Sequence, residues 1–442
     1  MDDAPCLVHR IVIRGNSLTH SSVIDQELRH VRASTTLGAL AHSCLAASAA
    51  LRSLNVFDAV DILCDAAPPA ADGTPQADVR VTLREKRRLA TASTGVHTEG
   101  SAASVDAAFA LGNACGRAER IEAHVQLGQQ KASSLRAALS KPRVGGRDAA
   151  LSAELRKQQS PHLKHSSFTQ KENTLRLSCL MGRPDGPTGA HELTYEASLR
   201  EVCKLPSTAS WAVLQQRGIS LKSAVRHTFS LSSLDHPAVP TQGYAFKLVN
   251  ELAGVGKLGD ARFHKHSVEA ALYQPLLSDG LLTLSLEARA GALLPLGGSY
   301  AAGGKAASCI CDRFFMGGPG SFWGFRSNGL GPRGERHGGG ASRDSLGGDV
   351  MAAASASLSA PLPGRFKQLG ARAHLFASAG GLEAYPLASP LSSALRACAG
   401  AGVSLPTALG RLQLNFTQVL KRRPADSVQR SGWQIGLSSI FF

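Results

Sequence analysis

Long apolar runs are missing from this chain. No stretch approaches the roughly 20 uncharged apolar residues of a membrane helix. The nearest, Leu37 to Leu51, is too short, carries His42, Ser43 and Ser48, and reads as a soluble helix. A helical membrane protein is not expected. A membrane barrel is not excluded, because its strands alternate and escape hydropathy scans. Charge is sparse at 18 %, and the apolar content of 43 % excludes a disordered chain. The first residues, Met1-Asp2-Asp3, lack both a basic segment with an apolar core and an Arg-rich presequence, so the expected address is cytosolic or internal.

Catalytic signatures are missing too. There is no GxSxG elbow, no GxxxxGK[ST] phosphate loop and no HExxH metal helix. The nine cysteines follow no framework spacing. Cys309-x-Cys311 lacks the second Cys/His pair of a metal site, and the dispersed histidines, His264 and His266 included, read as a polar face. No metal or cofactor is expected. Net charge is +15, but the basic residues are scattered apart from 86–88 and 421–423. That pattern does not describe a nucleic-acid footprint.

What is present is organised in two parts. Leu7 to Ile13 alternates like a strand and stops at Arg14-Gly15-Asn16. Val23, Ile24, Leu28 and Val31 form a helical stripe with Thr19 or Ser21 as its cap, and Leu37 to Leu54 is a second helix. Val56–Leu63 and Ala77–Glu85 alternate as two more strands. That is one α+β module over residues 1–87.

From Arg88 onward helical periods vanish. Sixteen short alternating segments follow: 88–97, 103–114, 118–128, 131–140, 147–157, 170–181, 190–203, 219–234, 242–253, 262–274, 280–293, 349–360, 369–380, 392–405, 409–420 and 432–442. In Arg411 to Thr417, Leu412, Leu414 and Phe416 alternate with Arg411, Gln413, Asn415 and Thr417. A charged residue on a lipid face would cost about 2–4 kcal/mol at the midplane. Even-numbered connections are short and turn-rich and odd-numbered ones longer on the whole, as in an up-and-down barrel with turns on one rim and loops on the other. The longest connection, 294–348, follows the eleventh segment. It holds Gly317 to Gly340, where glycines stand beside Phe322, Trp323 and Phe325. Rings among glycines indicate a loop folded against a surface rather than a linker.

The module resembles a single polypeptide-transport-associated (POTRA) domain, in VIRGNSLTHSSVIDQEL and in the strands VFDAVDI and VRVTLRE; an unrelated ferredoxin-like module shares the element pattern. One such module, sixteen strands and a glycine-rich loop after the eleventh together resemble the outer-membrane-protein assembly (bacterial surface antigen) superfamily. The loop residues Gly317, Gly318, Gly324, Phe325, Gly329, Gly331, Pro332 and Arg333, and the following Asp344 to Asp349, are similar to the core barrel subunits of mitochondrial sorting and assembly machineries. One departure stands out. The family's loop carries Arg-Gly-Phe, its arginine tied to acidic lumen residues; here Trp323 holds that place and Arg326 follows Phe325.

The resemblance implies a mainly β fold: a 16-stranded antiparallel transmembrane β-barrel over 88–442, preceded by one small α+β POTRA-like domain. It implies a non-enzymatic insertase in the mitochondrial outer membrane with its N-terminal domain in the intermembrane space. Its partners would be β-barrel precursors, accessory subunits of the machinery and membrane lipid, with no nucleic acid. The first and last strands would form a lateral seam. Arg430, Gly432, Ile435 and Leu437 fit a mitochondrial barrel sorting signal, and Phe442 would close the last strand. A chloroplast or bacterial translocation or assembly barrel is the alternative, and a soluble β-rich enzyme a more distant one.

Overall fold

The computed structural model describes residues 4–70, 73–87, 90–99, 102–277, 281–296, 308–336, 343–385, 394–407 and 410–438. The chain falls into two compact units. One is made of residues 1–94, 107–125 and 136–154; the other holds the remainder.

In the first unit β1 (Leu7–Arg14) lies parallel to β3 (Gln76–Glu85), which pairs antiparallel with β2 (Phe57–Ala67). Three helices cover them: α1 (Ser21–Glu27), α2 (Arg29–Arg32) and α3 (Leu37–Ser53). Ile24, Val31, Leu40, Leu51, Val60, Val79 and Val81 are buried in one cluster, so the helical stripe and the strand alternation converge on one core. The single first helix expected from the stripe is broken at Leu28, whose φ of −90° and ψ of 0° leave the helical region. The expected cap is also corrected. His20 is the N-cap of α1 and makes no side-chain capping bond. Thr19 is instead buried, its amide donating to Glu85 at 2.7 Å. Thr36 caps α3 by accepting from the Ala39 amide.

Glu85 closes the module. Its carboxylate accepts from the Ser17 hydroxyl at 2.6 Å and from the amides of Ser17, Leu18 and Thr19. Burial works against ionisation, but these bonds outweigh it and hold the carboxyl down at about 2, below its ordinary 4.5. A lowered folded-state value contributes stability above pH 4.5 that is lost as the pH falls towards 2. Pepsin cleavage of the 17–27 segment in the full chain is expected to rise steeply across that window. Glu85→Gln should lose most of the pH dependence.

The same unit contains two turns of the large sheet. The Gly116 carbonyl accepts from the His20 amide at 2.8 Å, and the Asn113 side-chain amide donates to Thr19 Oγ1 at 2.9 Å. Arg143 meets Glu27 at 2.8 Å, the Glu27 side chain being 2 % exposed. Both turns are even-numbered connections, which the parity of an up-and-down barrel assigns to the module's side.

The large sheet has sixteen strands. They are β4 (Ala90–Glu99), β5 (Ala102–Gly112), β6 (Arg120–Gly128), β7 (Ser133–Lys141), β8 (Ala149–Pro161), β9 (Thr169–Gly182), β10 (Ala190–Cys203), β11 (Gly218–Ser232), β12 (Gly243–Ala253), β13 (Phe263–Pro275) and β14 (Thr283–Pro295). A two-stranded hairpin of β15 (Arg333–Glu335) and β16 (Arg343–Ser345) belongs to the long loop, and β17 (Val350–Pro361), β18 (Arg372–Glu383), β19 (Arg396–Thr407), β20 (Gly410–Lys421) and β21 (Trp433–Ser438) complete the sheet. Each strand neighbours its predecessor, β17 pairing with β14 across the loop, and β4 and β21 are the two ends of the order. β14 runs to Pro295, so the first two residues expected in the loop are strand. The final segment expected at 432–442 is strand from Trp433 to Ser438; Phe442 lies outside the described residues.

The alternation has the expected sense. On β20, Leu412, Leu414 and Phe416 are 37 %, 42 % and 47 % exposed, while Gln413, Asn415 and Thr417 are 7 %, 0 % and 4 %. An apolar outer face over a polar inner one is inverted relative to a soluble protein and suits a lipid surround. Among the described residues no helix is long and apolar enough to cross a membrane, which says nothing of strands.

Candidate functional site: the glycine-rich loop and the last strand

The described part of the long loop, 308–336 and 343–349, lies on the inner face of the sheet and is held at separate points. At its start, Asp312 meets Arg200 of β10 at 2.6 Å, the side chains 4 % and 3 % exposed. Lys265 of β13 donates to the Asp312 carbonyl at 2.7 Å and stands over the Phe314 ring. That ring lies where a Cβ on Gly291 of β14 would be, so the glycine admits it. Removing one partner of a buried ion pair costs about 3–5 kcal/mol. Asp312→Asn is therefore expected to free the loop's first segment, read as rapid tryptic cleavage after Arg313 and a lowered temperature of the heat-induced gel-mobility shift.

At the hairpin, the fully buried Asp344 accepts from the Ser167 hydroxyl at 2.6 Å and the Ser210 amide at 2.8 Å, and it pairs with Arg336 at 2.5 Å. At the loop's end, Asp349 accepts from Ser308 and from the Tyr385 amide. Asp344 and Asp349 are thus each given donors from different elements, and Asp312 is paired with Arg200, which fixes the loop's path.

The centre of the loop meets the last strand. Phe322 and Phe325 pack edge to face at 5.6 Å, buried with Phe314, Met316, Leu330, Phe376 and Leu382. The Gly324 amide donates to Oε1 of Gln434 at 2.6 Å, and Nε2 of Gln434 donates to the Phe325 carbonyl at 2.8 Å. One side chain of β21 therefore satisfies both backbone groups, as a neighbouring strand would. The connection before β21 adds more: Phe325 bridges Val428, the Arg326 amide donates to Ser427, Ser427 donates to Gly329, and Gln429 donates to Gly324. Gly324 has a φ of +83° and lies against Thr417 and Val419 of β20, where a Cβ would stand 2.9–3.0 Å from their methyl groups. Only glycine fits both constraints.

The loop residues singled out from the sequence are gathered here. Gly317 and Gly318 turn the chain at positive φ, Gly318 bridges Phe322, and Gly331 passes against Leu382. The Pro332 carbonyl accepts from Leu346, and Arg333 donates to the Asn328 carbonyl. Arg326 is exposed and makes no ion pair among the described residues, so it does not take the place of the family's loop arginine. Trp323 packs instead: its ring lies 3.0 Å from where a Cβ on Gly436 of β21 would be, with Phe376 6.4 Å away between centroids. Of the C-terminal residues, Arg430 is exposed in the connection, Gly432 sits at positive φ against Phe416, Ile435 is 64 % exposed on the outer face, and Leu437 pairs with Leu412. The sequence reading missed Gln434. Its signal was its place on the polar face, between Trp433 and Ile435, beside two glycines at 432 and 436.

These features define a class: a 16-stranded antiparallel β-barrel protein with a small α+β module ahead of it. The Omp85 superfamily domain matches residues 113–441. A SAM50-like protein of Schizosaccharomyces pombe is 31 % identical over 87 % of this chain and 79 % of its own length. The sorting and assembly machinery component 50 homolog of Mus musculus is 31 % identical over 94 % of this chain and 86 % of its own. Among solved structures, BamA from Haemophilus ducreyi lacking POTRA domains 1–3 superposes with a TM-score of 0.77 over 97 % of this chain and 84 % of that one, at 17 % identity, a likeness of fold. The chain belongs to the Omp85 superfamily and, within it, to the SAM50 type.

Proposed function

We propose that this chain is a β-barrel insertase of the mitochondrial outer membrane, working as the core of a sorting and assembly machinery. Its relatives are named for that machinery. The observation that carries the mechanism is the clamp between Gln434 and the Gly324-Phe325 backbone, because it fastens the loop to one of the sheet's two edge strands.

A β-strand entering lipid has to bring its backbone groups already paired, since hydrocarbon offers no partner for them. An edge strand is a template for such pairing. In this reading β4 and β21 border a seam, and a precursor's C-terminal strand pairs with β4 as the seam opens. The loop braces the inner face beside β21, keeping that edge positioned while β4 is occupied. Gly95, whose missing side chain leaves room beside Asp106, weakens β4 locally. No bond of the precursor is broken or made covalently; the work is hydrogen-bond exchange and burial. Partners are barrel precursors, accessory subunits and lipid, and the N-terminal module faces the intermembrane space.

The test uses mitochondria depleted of their own core subunit and supplied with this chain. Carbonate-resistant chain, an N-terminal module that protease reaches only after the outer membrane is ruptured, and restored assembly of a labelled barrel precursor are expected. Carbonate release, or module cleavage in intact organelles, would refute the placement; resistant chain without restored assembly would refute the activity.

A further inference from the structure

Two of the nine cysteines meet in the N-terminal module. Cys44 is buried beneath α3, and Cys64 is exposed on β2, their sulfurs 3.7 Å apart although they stand 20 residues apart in sequence. The placement follows from two periodicities. Leu40, Cys44, Ala47 and Leu51 are the stripe that α3 turns towards the sheet. On β2, Cys64 shares the face of Val60 and Ile62, which pack in the same core. A helix position and a strand position of opposite exposure therefore end as neighbours. No group of three or more His, Cys, Asp or Glu among the described residues is arranged to hold a metal.

We propose that Cys44 and Cys64 form a redox-reactive dithiol that closes to a disulfide across α3 and β2, its oxidant being a small-molecule or protein disulfide such as glutathione disulfide. Cys64 is the thiol within reach of an oxidant. Its thiolate attacks one sulfur of the oxidant's disulfide, forming a mixed disulfide and releasing one thiol. Cys44 then gives up its proton and attacks Cys64 Sγ, expelling the second thiol. Two protein thiols lose two electrons and two protons, and the oxidant's disulfide becomes two thiols. Burial, with Cys64 beside it, pushes the Cys44 thiol up to about 12, so the second step is the slower and quickens with pH. The gap from 3.7 Å to a bonded length of about 2.0 Å is closed by rotating the exposed Cys64 side chain. The bond staples the helix to the sheet's outer strand and removes open states from the unfolded module.

The sequence supplies a clean assay. Arg32, Arg52 and Arg80 bound two tryptic peptides, 33–52 and 53–80, and each holds one cysteine, Cys44 or Cys64. Full chain in detergent is treated with glutathione disulfide, blocked with iodoacetamide and digested without reduction. The expected result is the two peptides joined, with most of Cys64 in that species, and their separation by reductant. In Cys44→Ser, Cys64 should instead retain a glutathione adduct; in Cys64→Ser, Cys44 should remain unmodified. Cys64 alkylated or left as a glutathione adduct in the unsubstituted protein, or joined to Cys6 or any other cysteine, would overturn the proposal.

Discussion

Deleting residues 317–333 is expected to leave the chain membrane-embedded and to reduce precursor assembly at least tenfold. The sheet's own ladders do not pass through this segment, whereas most of what holds the loop to β21 does. The deletion removes Phe322, Phe325 and Leu330 from the inner cluster and leaves Gln434 with neither partner. A buried polar group without a partner costs about 1–3 kcal/mol, so the β21 side of the sheet loses order locally while the other strands keep theirs. Gln434→Leu isolates the clamp. It strands the Gly324 amide and the Phe325 carbonyl but keeps the aromatic packing, and should give a smaller loss of assembly with normal carbonate resistance. Wild-type assembly by the deletion would remove the loop from the mechanism.

A disulfide engineered between β4 and β21 is expected to abolish insertion, reversibly. If clients enter by pairing with a sheet edge, fixing both edges together denies them the template. The pair is best sought by scanning β4 positions 90–95 against β21 positions 433–437, in a background with the native cysteines replaced. Locked protein should bind precursor and stall, and reductant should restore at least tenfold more mature product. Maturation at the normal rate by locked protein would exclude the lateral seam.

Much of this architecture was legible because a membrane strand has a strict two-residue period and its connections carry turn residues. The seventh alternating segment, 190–203, is the range that β10 occupies, and the two faces that alternate from Leu412 to Thr417 are the exposed and buried faces of β20. What escaped is what only distant residues decide. The displaced cap role of Thr19 depends on Glu85, 66 residues away. The β15–β16 hairpin is three residues a side and exists because Asp344 finds Ser167 and Ser210. Arg326 is the nearest arginine to the one missing at Trp323, but the ion pair of the loop in which both side chains are almost fully buried joins Asp312 to Arg200, two residues that sequence spacing does not relate. Gln434 looked like any inner-face polar residue until the loop's backbone appeared beside it.

The clamp at Gln434 also acts as a ruler. A strand advances about 3.4 Å per residue and turns its side chains over at each step. A slip of β21 by one residue would swing Gln434 out to the lipid side, and a slip of two would carry it about 7 Å past Gly324. Neither displaced register can keep both bonds, so the last strand cannot slide along β20 without first letting go of the loop. Sliding and unplugging are therefore one event, and the loop is a gauge of register at the edge where registers have to change.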